Sequence, residues 1–249
     1  MAQVLTLIYG LVAYVVFLGA FLYAIGFVGN LGIGDITVPK SIDSGATSAP
    51  VPSLIVNLLL MSAFAIQHSV MARPAFKRWW TQIVPKPIER STYVLLASLL
   101  LLLLYWQWRP LPDVVWDTTG TALGTVLLGL YGLGWVIVLL STFMINHFDL
   151  FGLRQVTLYF QRQPYSQVSF VTRGLYKVIR HPIMLGFIIA FWATPTMTVG
   201  HLLFAAVTTA YILIAIQFEE HDLMAADRAT YERYRAHTRM LIPIPRGRR

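Results

Sequence analysis

The sequence predicts an all-α integral membrane protein, a bundle of five to six transmembrane helices. Hydrophobic residues make up 57% of the 249 residues and charged residues only 12%, about half of the charged share in a soluble domain. The apolar residues fall in blocks of roughly 20, the length that a helix needs to cross a bilayer. The chain has no cysteine, which excludes disulfides, thiolate metal sites and a catalytic cysteine. We expect residues 1–249 to form a single membrane domain.

Five apolar blocks predict the spans in chain order. They cover about residues 4–29, 53–71, 92–108, 119–145 and 183–217. The first block is too long for a signal-peptide core and lacks a basic start, so we expect it to remain as a span. The last block is too long for one span, and Thr194-Pro195-Thr196 interrupts it. Because proline removes a helical hydrogen bond, we predict a C-terminal helical hairpin with arms at about 182–193 and 198–217.

The segments between the spans carry their own signals. Segment 30–52 is rich in Gly, Ser, Pro and Thr, which predicts an external loop. Segment 73–90 combines basic residues with aromatic ones and predicts one short interfacial helix. The fourth span contains four glycines that favour close helix packing. These glycines are Gly124, Gly129, Gly132 and Gly134.

The basic residues predict the orientation of the spans. All but two of the 19 lysines and arginines lie in segments 72–91, 146–181 and 218–249. By the positive-inside rule these segments and both termini are cytoplasmic, which requires an even number of crossings and therefore favours the hairpin. The net charge of +8 is then explained by orientation and by contact with the lipid bilayer, so we expect no nucleic-acid partner.

Polar side chains gather at the predicted cytoplasmic ends of the spans. Each alone is explained by helix capping, a turn or a solvated helix face. Ionisable groups beside hydrocarbon are costly and mark functional sites, so their shared predicted depth indicates a pocket. The residues are Gln67, His68, Asn146, His147, Asp149, Arg180, His181, Glu219, Glu220, His221 and Asp222.

Metal and haem chemistry are the first alternatives for this polar set. Competent zinc or iron ligands in this set are His68, His147, His181 and Glu219. No tight spacing such as His-Glu-x-x-His occurs, and a di-haem bundle needs histidines that face each other within the membrane. We therefore expect no metal site.

Two motifs resemble the isoprenylcysteine carboxyl methyltransferase superfamily. Residues 174–186 match its pattern G-x-Y-x-x-x-R-H-P-x-x-x-G, although Met184 stands where the superfamily often has tyrosine. A second pattern, E-E-x-x-L followed by Y-x-x-Y, is matched by Glu219, Glu220, Leu223, Tyr231 and Tyr234. The runs at 67–73, 146–153 and 191–195 are similar to the NnrU-related branch of this superfamily.

The resemblance implies that S-adenosylmethionine binds at the cytoplasmic face, within about residues 146–245. Glu219 and Glu220 should meet its charged amine, its ribose or a fixing arginine. The residues that should wrap the cofactor are Phe170, Val171, Gly174, Leu175, Tyr176, Arg180, His181 and Pro182. Within the branch, the implied reaction methylates the small volatile thiol methanethiol to dimethyl sulfide, in the cytoplasmic membrane of a bacterium.

The chemistry of a thiol acceptor requires a proton acceptor. A free cysteine thiol has a pKa near 8.5, so methanethiol is mostly protonated at neutral pH and needs a base such as histidine. We expect His147 or His68 to be this base, with Asn146 orienting the substrate or a partner group, and His181 to belong to the cofactor cradle. Two alternatives remain open: a methyltransferase of a lipid-like or prenylated acceptor, and a non-enzymatic accessory or haem-carrying membrane protein. The sequence does not define the oligomeric state.

Overall fold

A computed structural model describes residues 1–33, 36–168, 170 and 172–243 of the chain. The helices are α1 (Ala2–Gly29), α2 (Pro50–Ala72), α3 (Pro74–Trp80), α4 (Lys86–Gln107), α5 (Ala122–Ile145), α6 (His147–Leu150), α7 (Leu153–Phe160), α8 (Pro182–Trp192), α9 (Val199–Ala226) and α10 (Arg228–His237). The strands β1 (Gly32–Ile33) and β2 (Ile36–Thr37) form one short pair, and β3 (Val114–Asp117) and β4 (Thr196–Thr198) form another. Among the described residues, α1, α2, α4, α5 and α9 are long and apolar enough to cross a bilayer. The predicted all-α membrane fold is confirmed.

Two predicted boundaries are wrong, and proline and capping residues explain why. Segment 73–90 is not one helix, since α3 ends at Trp80 and α4 begins at Lys86 with a proline in its first turn, a favoured position for proline. The second hairpin arm does not end at residue 217. Helix α9 continues to Ala226, and Asp227 then caps α10 by accepting a hydrogen bond from the Thr230 amide at 3.1 Å.

The first of two compact units comprises Met1–Asp113, Asn146–Ser169 and Thr198–His201. Its helix α1 packs against α4 and α7, and α2 packs against α4. Gly152 allows the turn before α7 to meet α4, because it has φ +87° and a Cβ built there would lie 2.8 Å from the Ser91 amide nitrogen. Only glycine adopts this conformation readily and leaves this space. The turn that carries α6 is thereby fixed beside the long helices of its own unit.

The second unit comprises Val114–Ile145, Phe170–Met197 and Leu202–Arg249, and in it α5 packs along α8. Gly134 lies at this contact. A Cβ built on Gly134 would lie 2.6 Å from the Ala190 amide nitrogen and 2.7 Å from the Gly186 carbonyl oxygen. The predicted close packing is therefore correct for Gly134. It is wrong for Gly129 and Gly132, where a built Cβ meets nothing within 4 Å.

Helix α8 and the residues that flank it run beside α5 over the full length of that helix. At one end the Thr118 amide donates to the Pro195 carbonyl oxygen at 2.9 Å, so the turn between α8 and α9 lies at the start of α5. At the other end the Leu175 amide donates to the Met144 sulfur at 3.4 Å. Residues 174–195 thus run antiparallel to α5, although α8 itself is shorter than the five helices that are long enough to span a bilayer.

Replacing Gly134 with alanine is expected to lower the free energy of unfolding by about 1–3 kcal/mol, because the added methyl group overpacks a backbone contact. Gly132→Ala is the matched control. Its methyl group meets open space, so it should be neutral or stabilise by up to about 1 kcal/mol through helix propensity. Thermal and denaturant midpoints of the purified proteins in detergent measure both changes. Equal destabilisation by the two variants would contradict the assigned contact.

Candidate functional site

A buried cluster of charged side chains lies where α8 begins. Arg180 donates through Nε to Oε1 of Glu220 at 2.7 Å, and His181 Nε2 lies 3.1 Å from the same oxygen. The three side chains are only 5–8% exposed. Pro182 occupies the first turn of α8 and leaves His181 at the N-cap, so a local sequence signal sets this geometry.

The segment after α10 holds the same cluster from a second direction. Arg180 Nη1 donates to the Thr238 carbonyl oxygen at 2.7 Å, and the Arg180 amide donates to the Arg239 carbonyl oxygen at 2.8 Å. Arg235 Nε lies 3.7 Å from Oε2 of Glu220. Arg235 was not among the residues predicted from the sequence for this cluster. Arg235 follows Tyr231 by four residues, so the two side chains lie on one face of α10. This spacing is the sequence signal that could have identified Arg235.

The two adjacent glutamates have different environments. Glu220 is buried and is neutralised by cations of the protein, with Arg180 at 2.7 Å as the nearer of its two arginines. Glu219 is 48% exposed, and its Oε2 lies 3.4 Å from Nδ1 of His181. Glu219 is therefore the carboxylate of this pair that an external cationic group can reach. Both ring nitrogens of His181 face carboxylates, so this side chain is held inside the cluster.

Aromatic side chains form a wall next to this cluster. Phe170, which is 47% exposed, contacts Tyr234 and Tyr231 edge-on with ring centroids 5.2 and 6.2 Å apart. Tyr234 donates its hydroxyl to the Tyr176 carbonyl oxygen at 2.7 Å. Burial raises the pKa of Tyr234 to about 12, so the phenol stays protonated and remains a donor at neutral pH.

The loop that leads into α8 depends on a glycine. Gly174 has φ +52°, and a Cβ built there would lie 2.6 Å from the Met144 sulfur, so a larger residue would be both strained and crowded. The second unit thus contains nine of the ten predicted cofactor residues, and the tenth, Val171, lies outside the described residues. The nine are Phe170, Gly174, Leu175, Tyr176, Arg180, His181, Pro182, Glu219 and Glu220.

The first unit contains the predicted bases, and each is paired with a tyrosine. His147 Nε2 lies 2.8 Å from the hydroxyl of Tyr14 on α1, and the residue is only 5% exposed. Burial lowers the pKa of His147 below its usual value, so the ring is neutral at pH 7 and one nitrogen can accept a proton. Asn146 caps α6, because its Oδ1 accepts from the Asp149 amide at 3.1 Å.

His68 on α2 makes the equivalent pair with Tyr93 on α4. The Tyr93 hydroxyl lies 2.9 Å from Nδ1 and 3.0 Å from Nε2 of His68. The guanidinium carbon of Arg90 lies 4.9 Å from the centre of the Tyr93 ring, close enough for a cation–π contact. Phe151 packs against the hydrophobic cluster that contains Tyr93 and also contacts the His147 ring. His68 and His147 therefore border one aromatic cluster.

Tyr14 and Tyr93 were missed by the sequence analysis. A phenol within an otherwise apolar span needs a hydrogen-bond partner, and this requirement is the signal that could have identified both residues. It would not have identified the partners, which depend on packing between helices. Among the described residues, no group of three or more His, Asp or Glu side chains is arranged to hold a metal ion.

The fold and these clusters define a multi-pass α-helical membrane protein with a buried arginine–histidine–glutamate cluster at the start of its C-terminal hairpin. The family model described as NnrU protein matches residues 56–239, so the chain belongs to the NnrU protein family, as its motifs indicated. No solved structure matches the chain significantly.

Named relatives match nearly the whole chain. It is 58% identical to methanethiol S-methyltransferase of Mycobacterium tuberculosis over 246 residues. This match covers 98% of each chain. It is also 58% identical to methanethiol S-methyltransferase 2 of Bradyrhizobium diazoefficiens over 242 residues. This second match covers 97% of this chain and 91% of the relative. A more distant relative is nurim of Bos taurus, which is 28% identical over 178 residues, or 68% of each chain.

Proposed function

We propose that this protein is an integral membrane methyltransferase that transfers the methyl group of S-adenosylmethionine to methanethiol, giving dimethyl sulfide and S-adenosylhomocysteine. Residues 1–249 act together as one catalytic domain in this proposal. The observation that carries it is the 58% identity, over 98% of both chains, to a relative named methanethiol S-methyltransferase. The matched length spans nearly the whole chain rather than the C-terminal motifs alone.

The residues of the second unit suit the chemistry of S-adenosylmethionine. This molecule carries a cationic sulfonium and a cationic amine, and half-exposed Glu219 offers a carboxylate to either. It also carries an adenine ring, for which exposed Phe170 offers an aromatic surface. Arg180 and His181 hold Glu220 in place and so fix the start of α8. When bound, the cofactor supplies an electrophilic methyl carbon.

The first unit supplies side chains that could take the proton of the thiol substrate. Methanethiol must lose a proton to become a good nucleophile, and His147 is held neutral by burial and can accept that proton. His68, which has its own tyrosine partner, is the second candidate for this role. Asn146 is proposed to orient the substrate or a neighbouring group through the turn that it caps.

The test is headspace detection of dimethyl sulfide from membranes that contain the protein and receive methanethiol and S-adenosylmethionine. Product is expected from these membranes and not from membranes without the protein. Calorimetry of the purified protein should detect S-adenosylmethionine binding. Binding without product would favour a lipid-like or prenylated acceptor. A folded protein that binds no cofactor and shows a haem absorbance band would favour an accessory role.

The proposed location is the cytoplasmic membrane of a bacterium with both termini in the cytoplasm. The absence of native cysteine makes single-cysteine labelling a clean test, and Ala46 and Gln163 are both exposed. Ala46→Cys is expected to react with a membrane-impermeant maleimide in intact spheroplasts, whereas Gln163→Cys should react only after lysis. The reverse pattern would overturn the proposed orientation.

A further inference from the structure

Two tyrosines of α1 present hydroxyl groups to different partners. The Tyr14 hydroxyl lies 2.8 Å from Nε2 of His147. The Tyr9 hydroxyl lies 3.0 Å from Oγ1 of Thr92. Both tyrosines are partly buried in the same unit, and each makes one bond across a helix interface. They therefore allow a comparison of two partly buried tyrosine hydroxyls on one helix, of which only that of Tyr14 contacts His147.

The surroundings of His147 make the Tyr14 contact its main polar contact on α1. The imidazole meets Tyr14 at an interplanar angle of 81° and lies edge-on to Phe148 and Phe151. The charged groups around this turn have other partners. Asp149 accepts from Arg154 Nη1 at 3.0 Å, and Arg90 of α4 donates to the Leu150 carbonyl oxygen at 2.7 Å. The Tyr14 hydroxyl thus contacts an imidazole that is packed among aromatic rings.

We propose that Tyr14 is a positioning residue for proton transfer: its hydroxyl holds the imidazole of His147 in the orientation in which the ring takes the proton of the thiol substrate. This inference rests on the proposed function, in which His147 is the base. It adds a residue that neither the motifs nor the names of the relatives indicate.

The proton balance explains why the contact favours the reaction. The S–H bond of the thiol breaks and its proton passes to Nδ1 of His147, the nitrogen that does not face Tyr14. The sulfur electron pair forms the new bond to the methyl carbon as the donor's own carbon–sulfur bond breaks. Both nitrogens of the resulting imidazolium are donors, and Nε2–H then donates to the Tyr14 oxygen. A hydrogen bond to a charged group is stronger than one to a neutral group, so the contact tightens as the proton arrives.

Tyr14→Phe removes the hydroxyl and keeps the ring. We expect kcat to fall about 10- to 100-fold, the usual range for a lost hydrogen bond to a charged group, with KM for both substrates within about twofold. The acid limb of the pH–rate profile should move to lower pH, because the imidazolium loses an acceptor that stabilised it. Tyr9→Phe is the matched control and should leave kcat within about twofold and the acid limb unmoved. A Tyr14→Phe enzyme that behaves like the Tyr9→Phe enzyme would overturn the proposal.

A second measurement does not depend on turnover. In protein labelled with ¹⁵N-histidine, the His147 signal can be assigned by its absence in His147→Gln and titrated with pH. Its midpoint should fall in Tyr14→Phe and stay constant in Tyr9→Phe. An unchanged or raised midpoint in Tyr14→Phe refutes the positioning role even if the wild type is active. Wild-type protein without product, but with the expected shift, would instead refute the proposed function and leave the Tyr14–His147 coupling established.

Discussion

Glu220→Gln is expected to lower the free energy of unfolding by about 3–5 kcal/mol, the range for breaking a buried ion pair by removing one partner. The substitution keeps the shape of the side chain but removes the negative charge that faces Arg180, His181 and Arg235. Arg180 stays charged at any accessible pH, so its guanidinium would be left in a site that is 8% exposed. Thermal and denaturant unfolding of the purified protein in detergent measures the loss.

Glu219→Gln is the matched control, since it changes the neighbouring residue in the same way. Its side chain is 48% exposed, and ion pairs at exposed positions contribute about 1 kcal/mol or less, so stability should change little. Its expected effect is on the cofactor instead. If Glu219 meets a cationic group of S-adenosylmethionine, the dissociation constant measured by calorimetry should rise about 10- to 100-fold.

The opposite pattern would contradict the division of roles between the two glutamates. A Glu220→Gln protein with wild-type stability would show that Glu220 is not needed to neutralise Arg180. A Glu219→Gln protein with unchanged cofactor affinity would show that the exposed carboxylate does not contact the donor. Because the two outcomes are measured by different methods, one can fail without the other.

The features that sequence could predict are those encoded locally. Pro182 starts α8, and Pro195 interrupts the last apolar block. Because the two arms of the hairpin are antiparallel, Arg180 at the start of the first arm lies close to Glu220 near the end of the second. The two residues are 40 positions apart in sequence, and this proximity does not depend on the other helices. For the same reason the cofactor residues of the second unit form a nearly continuous stretch and a pair of glutamates, which short motifs can represent.

The features that sequence could not predict depend on which face of a helix is buried. Helix α1 is apolar on every side, so no periodic pattern indicates that Tyr14 faces His147, 133 residues away. Helix α5 shows the same limit. Gly132 and Gly134 are both small residues that favour packing, yet only Gly134 meets α8, because residues two apart point in nearly opposite directions around a helix. The buried face of each helix is therefore determined by packing between helices.

His147→Gln is expected to lower kcat by about 10²–10⁴-fold, the usual contribution of a general base, while S-adenosylmethionine binding stays intact. His147 is preferred to His68 because it lies in α6, after the apolar span of α5, whereas His68 lies within α2. Its lowered pKa keeps it neutral at pH 7, so activity should fall on the acid side only below about pH 6.5, the usual value for histidine.

His68→Gln tests this preference directly, because His68 also pairs with a tyrosine and borders the same aromatic cluster. It should reduce kcat less than His147→Gln and leave the acid limb of the pH–rate profile in place. If His68→Gln has the larger effect and removes that limb, the base is His68 and the role of Tyr14 passes to Tyr93. If both variants retain near-normal turnover with the cofactor bound, neither histidine takes the proton, and the positive charge of the bound sulfonium is left as the factor that favours the thiolate.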